Sequence, residues 1–321
     1  MFQPSGVYAA MLTPFDKNGR VNIPVVTKMV DFFVQKGVDG IFPVSNVGEF
    51  IQISEGDKRD FVDAVIRTAG GRVRVTPGIS SPNPRQSIEF GKYCLQAGAD
   101  AVVVSAPYYF KYPPEMVESF LSSVARGLDL PVILYNIPLY ANEISIDSLG
   151  RLLQIDNIVA LKESSGSLAN LQNILNLAHG MNRDFRLMVG WEEMLLAALT
   201  VGAHGCMVAS GGILPELMTA IRHLYYTNQF IQAARIQRLV AKATEEMRKV
   251  FFPYGYKLGM QSRGFDMGPF AIDIPAPFAL QMVAQHRKIE AIVSEVLHEA
   301  QVEIQQMDAI TGSQADGNTI L

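Results

Sequence analysis

Cysteine, tryptophan and histidine are all scarce in this 321-residue chain, and charge of neither sign dominates it. The two cysteines, Cys94 and Cys206, each sit in an apolar stretch, which favours buried free thiols in a reducing cytoplasm over a disulfide. The five histidines, His179, His204, His223, His286 and His298, show no metal-ligand spacing, so no metal is expected. The formal charge of −4, with Lys and Arg scattered, leaves no basic face for nucleic acid. No run approaches the roughly 18 consecutive apolar residues that a membrane span needs. The opening residues lack the basic and apolar segments of a signal peptide, so a cytoplasmic protein is expected.

What is present is apolar residue in quantity. At 49% hydrophobic, the chain can bury one large core or two small ones. Short runs rich in Val, Ile, Leu and Ala occupy residues 7–12, 40–44, 73–77, 101–105, 131–135, 158–162, 185–189 and 205–209. None alternates with polar residues, so each reads as a strand buried on both faces. Between them lie segments of helical periodicity, among them 23–35, 54–68, 85–96, 114–126 and 168–178. Ser54 with Asp57 resembles a capping box, and Ser81-Pro82-Asn83-Pro84 is a turn leading into a helix. Eight such strand-helix units predict a (β/α)8 TIM barrel over residues 1–227, with an open doubly wound sheet as the competing arrangement. A C-terminal helical extension, 228–307, is expected to pack on the barrel through helices at 229–250, 255–262 and 277–306. The polar, Gly-containing tail 308–321 is expected to be disordered.

A barrel of this kind carries its active site at the C-terminal ends of its strands. The fifth run ends at Tyr135 and the sixth at Lys162, which places a phenol and an amine at one height on adjacent strands. Burial there depresses a lysine pKa, and the neutral amine can attack a ketone to form an imine. A neighbouring tyrosine can shuttle the protons that this chemistry moves. Simpler readings compete: a strand-end lysine that reaches solvent or pairs with Glu163, and a core tyrosine with its hydroxyl satisfied. After the second run, Ser45-Asn46-Val47-Gly48-Glu49 makes a Gly-containing turn whose amides can form a nest for a small carboxylate. Aromatic residues stand on the loop 106–110, where plain loop packing also accounts for them.

Together these residues resemble the dihydrodipicolinate synthase and N-acetylneuraminate lyase family of pyruvate-dependent class I aldolases. The matching stretches run in order from Leu12-Thr13-Pro14-Phe15 through Val47-Gly48-Glu49, Pro107-Tyr108-Tyr109, Tyr135-Asn136-Ile137-Pro138 and Leu161-Lys162-Glu163 to Gly190 and Gly205. The resemblance implies that Lys162 forms the Schiff base and Tyr135 transfers protons. It implies that the amides of Asn46 and Val47 hold the keto-acid carboxylate, and that the Met207 carbonyl faces the reacting centre. Tyr109 would cross a subunit interface to complete a neighbour's site in a homotetramer, a dimer of dimers. No organic cofactor is implied; the partners are a small keto acid and an aldehyde.

Two departures shape the expected substrate. Members commonly carry two hydroxyl residues where this chain has Asn46 and Val47, and an amide cannot relay a proton as a hydroxyl does. Dihydrodipicolinate synthases carry an arginine two residues beyond the matched proline, where this chain has Tyr140. That loses the bidentate grip on a second carboxylate. In Gly190-Trp191-Glu192-Glu193 the acids either bind sugar hydroxyls, as a similar loop does in sialic acid lyases, or simply begin a helix. Phe50, Tyr140 and Trp191 make the mouth aromatic, which also suits a less polar aldehyde. The expected function is a Schiff-base lyase, aldolase or dehydratase, acting on pyruvate or a 2-keto acid, foremost a 2-keto-3-deoxy sugar acid. N-acetylneuraminate lyase and then dihydrodipicolinate synthase are the alternatives, and a keto-acid-binding sensor with weak catalysis is the non-enzyme one.

Overall fold

A computed structural model describes residues 2–315, those from 304 onward by backbone alone. Its eight strands are β1 (Gly6–Ala10), β2 (Gly40–Phe42), β3 (Arg74–Val75), β4 (Val102–Ser105), β5 (Val132–Asn136), β6 (Ile158–Glu163), β7 (Arg186–Val189) and β8 (Gly205–Val208). Every strand residue except Arg74 and Arg186 is buried, the physical reason why these runs carry no polar alternation. All pairings are parallel, and β1 pairs with both β2 and β8, joining the first strand to the last. The ring closes between β3 and β4 through a parallel bridge from Gly78 to Val103. There the Ile79 N–H donates to the Val103 carbonyl, and the Val103 N–H to that of Pro77, each at 2.9 Å. The expected (β/α)8 barrel is therefore the observed one.

The outer layer comprises α1 (Ile23–Gln35), α2 (Glu55–Ala69), α3 (Pro84–Ala97), α4 (Pro114–Arg126), α5 (Ile146–Leu152) and α6 (Leu168–Gly180). It continues with α7 (Leu195–Thr200), a short α8 (Ser210–Ile213) and α9 (Pro215–Tyr226). Their starts follow the sequence signals. Ser54 caps α2 by accepting from the Asp57 N–H at 3.1 Å, and Asn83 caps α3 by accepting from the Arg85 N–H at 3.0 Å. Cys94 and Cys206 are free and buried.

Three further helices follow: α10 (Phe230–Arg248), α11 (Tyr254–Gln261) and α12 (Ala276–Ala315). Helix α10 packs on α9, α11 and α12. Beyond α11, Arg263 grips the Glu216 carboxylate of α9 with both terminal nitrogens, at 2.7 and 3.0 Å. The backbone of α12 runs to Ala315. Residues 316–321 lie outside the described part. Among the described residues no helix is long and apolar enough to cross a membrane.

Candidate active site

At the C-terminal end of the barrel a cavity of about 300 Å³ is floored by Lys162, Tyr135 and Met207. Strand register accounts for the first two. Tyr135 of β5 pairs directly with Lys162 of β6, and Lys162 pairs in turn with Met188 of β7. The Lys162 Nζ lies 4.1 Å from the centre of the Tyr135 ring and 4.9 Å from that of Phe42. Only 4% of this lysine is exposed. Desolvation by burial therefore lowers its pKa to about 7, opposed in part by the Glu192 carboxylate. The amine is half neutral near pH 7.

The competing partner for Lys162, Glu163, is occupied elsewhere. Successive residues of a strand point to opposite faces, so Glu163 leaves the barrel interior where Lys162 enters it. Asn136 Nδ2 donates to Glu163 Oε2 at 2.8 Å, and the Ser165 N–H donates to Oε1 at 2.6 Å. Asn136 Oδ1 in turn accepts from the Ile144 N–H at 3.0 Å. In each motif the first residue faces the cavity, and the second latches β5 to β6. The same alternation puts Ser164 on the Lys162 face, where its hydroxyl is buried without a hydrogen-bond partner among the described residues. Gly190 follows β7 beside them. A Cβ there would lie 1.8 Å from Ser164 Oγ and 3.0 Å from Lys162 Cε, so only glycine fits.

The loop after β2 holds Asn46 and Val47 at the cavity wall. The Ser45 hydroxyl donates to the Met11 carbonyl at 2.9 Å, and the Thr13 hydroxyl to that of Gly48 at 2.6 Å. Among the described residues, neither the Asn46 nor the Val47 amide has a backbone acceptor. The two acids after β7 part company. Glu193 accepts from the Thr244 hydroxyl at 2.7 Å and from Arg248, outside the cavity. Glu192 lines it, 6% exposed, its carboxyl raised to about 7 first by desolvation and then by Glu193.

Tyr140 also reaches the cavity, stacked on Phe252 at 5.4 Å. Tyr109 does not. It is 89% exposed on the loop after β4, in the left-handed region at φ 79°, and is not among the residues that line the cavity. Arg248, Phe251, Phe252 and Tyr256 line the outer wall, and none was anticipated from sequence. Arg248 ends α10, Phe251 and Phe252 lie in the segment that joins it to α11, and Tyr256 belongs to α11; no motif marks them. Ser164 was legible in principle, two residues beyond Lys162 on the same strand face.

A lysine buried without an ion pair costs stability. At and below about pH 7 the folded protein must hold it neutral or charged and dry, while the unfolded chain holds it charged and solvated. The cost is relieved as pH rises from about 7 towards 10.5, where the unfolded lysine also loses its proton. Lys162→Met is therefore expected to gain a few kcal/mol at pH 6–7, on the order of the pKa gap times 1.4 kcal/mol per unit. That gain should vanish near pH 10.5. Urea melts at both pH values measure it, and an unaltered midpoint at pH 6 would refute the desolvated lysine.

Comparison with known proteins follows the same outline. The chain is 32% identical over 237 residues to the 4-hydroxy-tetrahydrodipicolinate synthase of Nitrobacter hamburgensis, covering 73% of this chain and 79% of that one. It is 29% identical over 236 residues to the probable 2-dehydro-3-deoxy-D-pentonate aldolase YjhH of Escherichia coli, covering 73% and 78%. Among solved structures, the 4-hydroxy-tetrahydrodipicolinate synthase from Methylacidiphilum fumariolicum superposes with a TM-score of 0.86 at 23% identity, covering 94% and 99% of the two chains. YagE of E. coli, solved in complex with pyruvate, gives 0.84 at 23% identity, covering 91% and 98%. The dihydrodipicolinate synthetase family model matches residues 3–295, from the first strand of the barrel into α12, and the chain belongs to that family of lyases and aldolases.

Proposed function

We propose that this enzyme is a class I lyase that binds pyruvate, or the keto group of a larger 2-keto acid, as an imine on Lys162. The observation that carries this reading is a buried amine, with a pKa of about 7, against the face of a buried phenol on a cavity floor. The neutral amine attacks the keto carbon. Tyr135 passes protons to the carbinolamine, water departs, and a protonated imine remains. In the cleavage direction the bond between C3 and C4 breaks, its electrons move into the imine to give an enamine, and the C4 hydroxyl proton leaves as the aldehyde forms. The amides of Asn46 and Val47 hold the carboxylate, and the Met207 carbonyl faces the reacting carbon.

A 2-keto-3-deoxy sugar acid is the preferred substrate. Glu192 supplies a buried acceptor for a substrate hydroxyl, and the relative from E. coli that bears a pentonate aldolase name points the same way. Tyr140 replaces the carboxylate clamp of a dihydrodipicolinate synthase, and Arg248, the other cation at the wall, is engaged by Glu193. A lost charge-assisted hydrogen bond costs on the order of 1.5–3 kcal/mol, tenfold or more. Condensation of pyruvate with aspartate semialdehyde should therefore run at least about tenfold below turnover of neutral polyhydroxy adducts. Glu192→Ala should raise KM for the hydroxylated substrate about tenfold while leaving pyruvate imine formation near wild type. Pyruvate release across a panel of 2-keto-3-deoxy acids decides the matter, and efficient use of aspartate semialdehyde would end the substrate assignment.

Tyr109, exposed on its loop, is proposed to complete a neighbour's site across the interface of a homotetramer. Sedimentation velocity should find no active monomer, and a fully active monomer would remove Tyr109 from the site.

A further inference from the structure

Lys257 of α11 is fully buried, and Glu49, 208 residues earlier, is 3% exposed; the two form an ion pair at 3.1 Å. Each group has further partners. The Lys257 ammonium also donates to the Pro269 carbonyl at 2.8 Å and lies 4.3 Å from the centre of the Phe15 ring. The second Glu49 oxygen accepts from the Ala271 N–H at 3.2 Å. A buried ion pair adds little net stability over an apolar pair of the same shape, so its value lies in fixing geometry.

What it fixes is the loop carrying Asn46 and Val47. That loop is bounded by two non-glycine residues in the left-handed region, Val44 at φ 55° and Glu49 at φ 57°. A β-branched residue there is an outlier, and such backbone persists only where its surroundings over-determine it. The Ser45 hydroxyl ties the near side of the loop to Met11, and the Thr13 hydroxyl ties Gly48 to the same segment, which follows β1. Glu49 is the far anchor, and its only charged partner among the described residues is Lys257. A Cβ at Gly48 would meet the Met11 carbonyl at 2.5 Å, so the turn cannot shift towards β1 to compensate.

We infer that Lys257 is a positioning residue for keto-acid binding: through Glu49 it holds the Asn46 and Val47 amides where a substrate carboxylate docks. The inference rests on the reading that those amides bind the carboxylate. It also makes α11 common to both halves of the site, since Tyr256, next in sequence, lines the outer cavity.

Two ketones separate positioning from general damage. Pyruvate carries the carboxylate, and acetone does not, yet both can be trapped on a lysine by borohydride. In Lys257→Met the pyruvate concentration for half-maximal trapping should rise about tenfold or more, as expected for misplaced charge-assisted hydrogen bonds. Trapping at saturation and trapping of acetone should change by less than about threefold, because the amine itself is untouched. Should that variant fold poorly, Glu49→Gln with Lys257→Met leaves no charge unpaired and keeps an acceptor for Ala271. Its thermal midpoint should recover while pyruvate trapping stays weak. Pyruvate half-saturation at the wild-type value in a folded variant, or equal losses with both ketones, overturns the inference alone. Wild-type protein that traps no pyruvate overturns the functional reading and this inference with it.

Discussion

Borohydride in the presence of pyruvate is expected to leave a reduced pyruvyl group on Lys162, and Lys162→Ala is expected to lose turnover by about 10⁴-fold or more, the scale at which a covalent nucleophile is missed. Lys162→Arg should fail as completely, because a guanidinium stays protonated and cannot attack a carbonyl. The rate of trapping should also carry a limb set by the lysine itself. Burial lowers Lys162 to about 7, so the neutral fraction is nearly complete at pH 8 and about one hundredth at pH 5. Trapping should therefore slow about a hundredfold over that interval, and change little above pH 8. An ordinary surface lysine would go on gaining reactivity up to about pH 10. Peptide mapping with the label on another lysine, or a rate still climbing tenfold per unit above pH 8, would dismiss Lys162 as the imine-forming residue.

The barrel was legible because its physics is local. Each strand is buried on both faces, so its residues could be read as a continuous apolar run, and the eight runs lie within two residues of the observed strands. Helix α1 coincides with its periodic segment, where Asn22 caps the start and Pro24 stands in the first turn. Tyr135 and Lys162 were legible for a related reason: strand ends at one height in a parallel barrel bring their residues together. The outer wall was not. Arg248, Phe252 and Tyr256 reach the cavity only because α10 and α11 fold back over the barrel mouth, and that packing leaves no periodic mark in the sequence. Nor could Glu49 be matched to Lys257 across 208 residues, since either alone reads as a solvated charge. The pair Glu192-Glu193 looked equivalent in sequence, yet Arg248 and Thr244 take up one acid and leave the other facing Lys162's cavity.

Tyr135→Phe should isolate the proton-transfer step. The substitution keeps the ring, so the edge contact with Phe42 at 6.3 Å and the face beneath the Lys162 amine survive. Only the hydroxyl is lost. General acid-base catalysis contributes about 10²–10⁴-fold, and kcat should fall within that range. Burial pushes the Tyr135 phenol well above its ordinary value, so it is not a standing phenolate base at neutral pH. It must pass a proton on as it accepts one, and that demands a second hydroxyl or water. The loop positions that commonly supply hydroxyls hold Asn46 and Val47 here, whereas Ser164, just past β6, offers a buried hydroxyl without a hydrogen-bond partner among the described residues. Ser164→Ala should therefore lose about tenfold in kcat, less than Tyr135→Phe because water can enter the space vacated. The double variant should be scarcely worse than Tyr135→Phe, as residues of one relay are not additive. Pyruvate should still be trapped on Lys162 in every case, more slowly but to completion. A Tyr135→Phe enzyme with kcat within about fivefold of wild type would place the proton transfer elsewhere, with the Glu192 carboxyl, raised to about 7 on the same cavity wall, the next group to test.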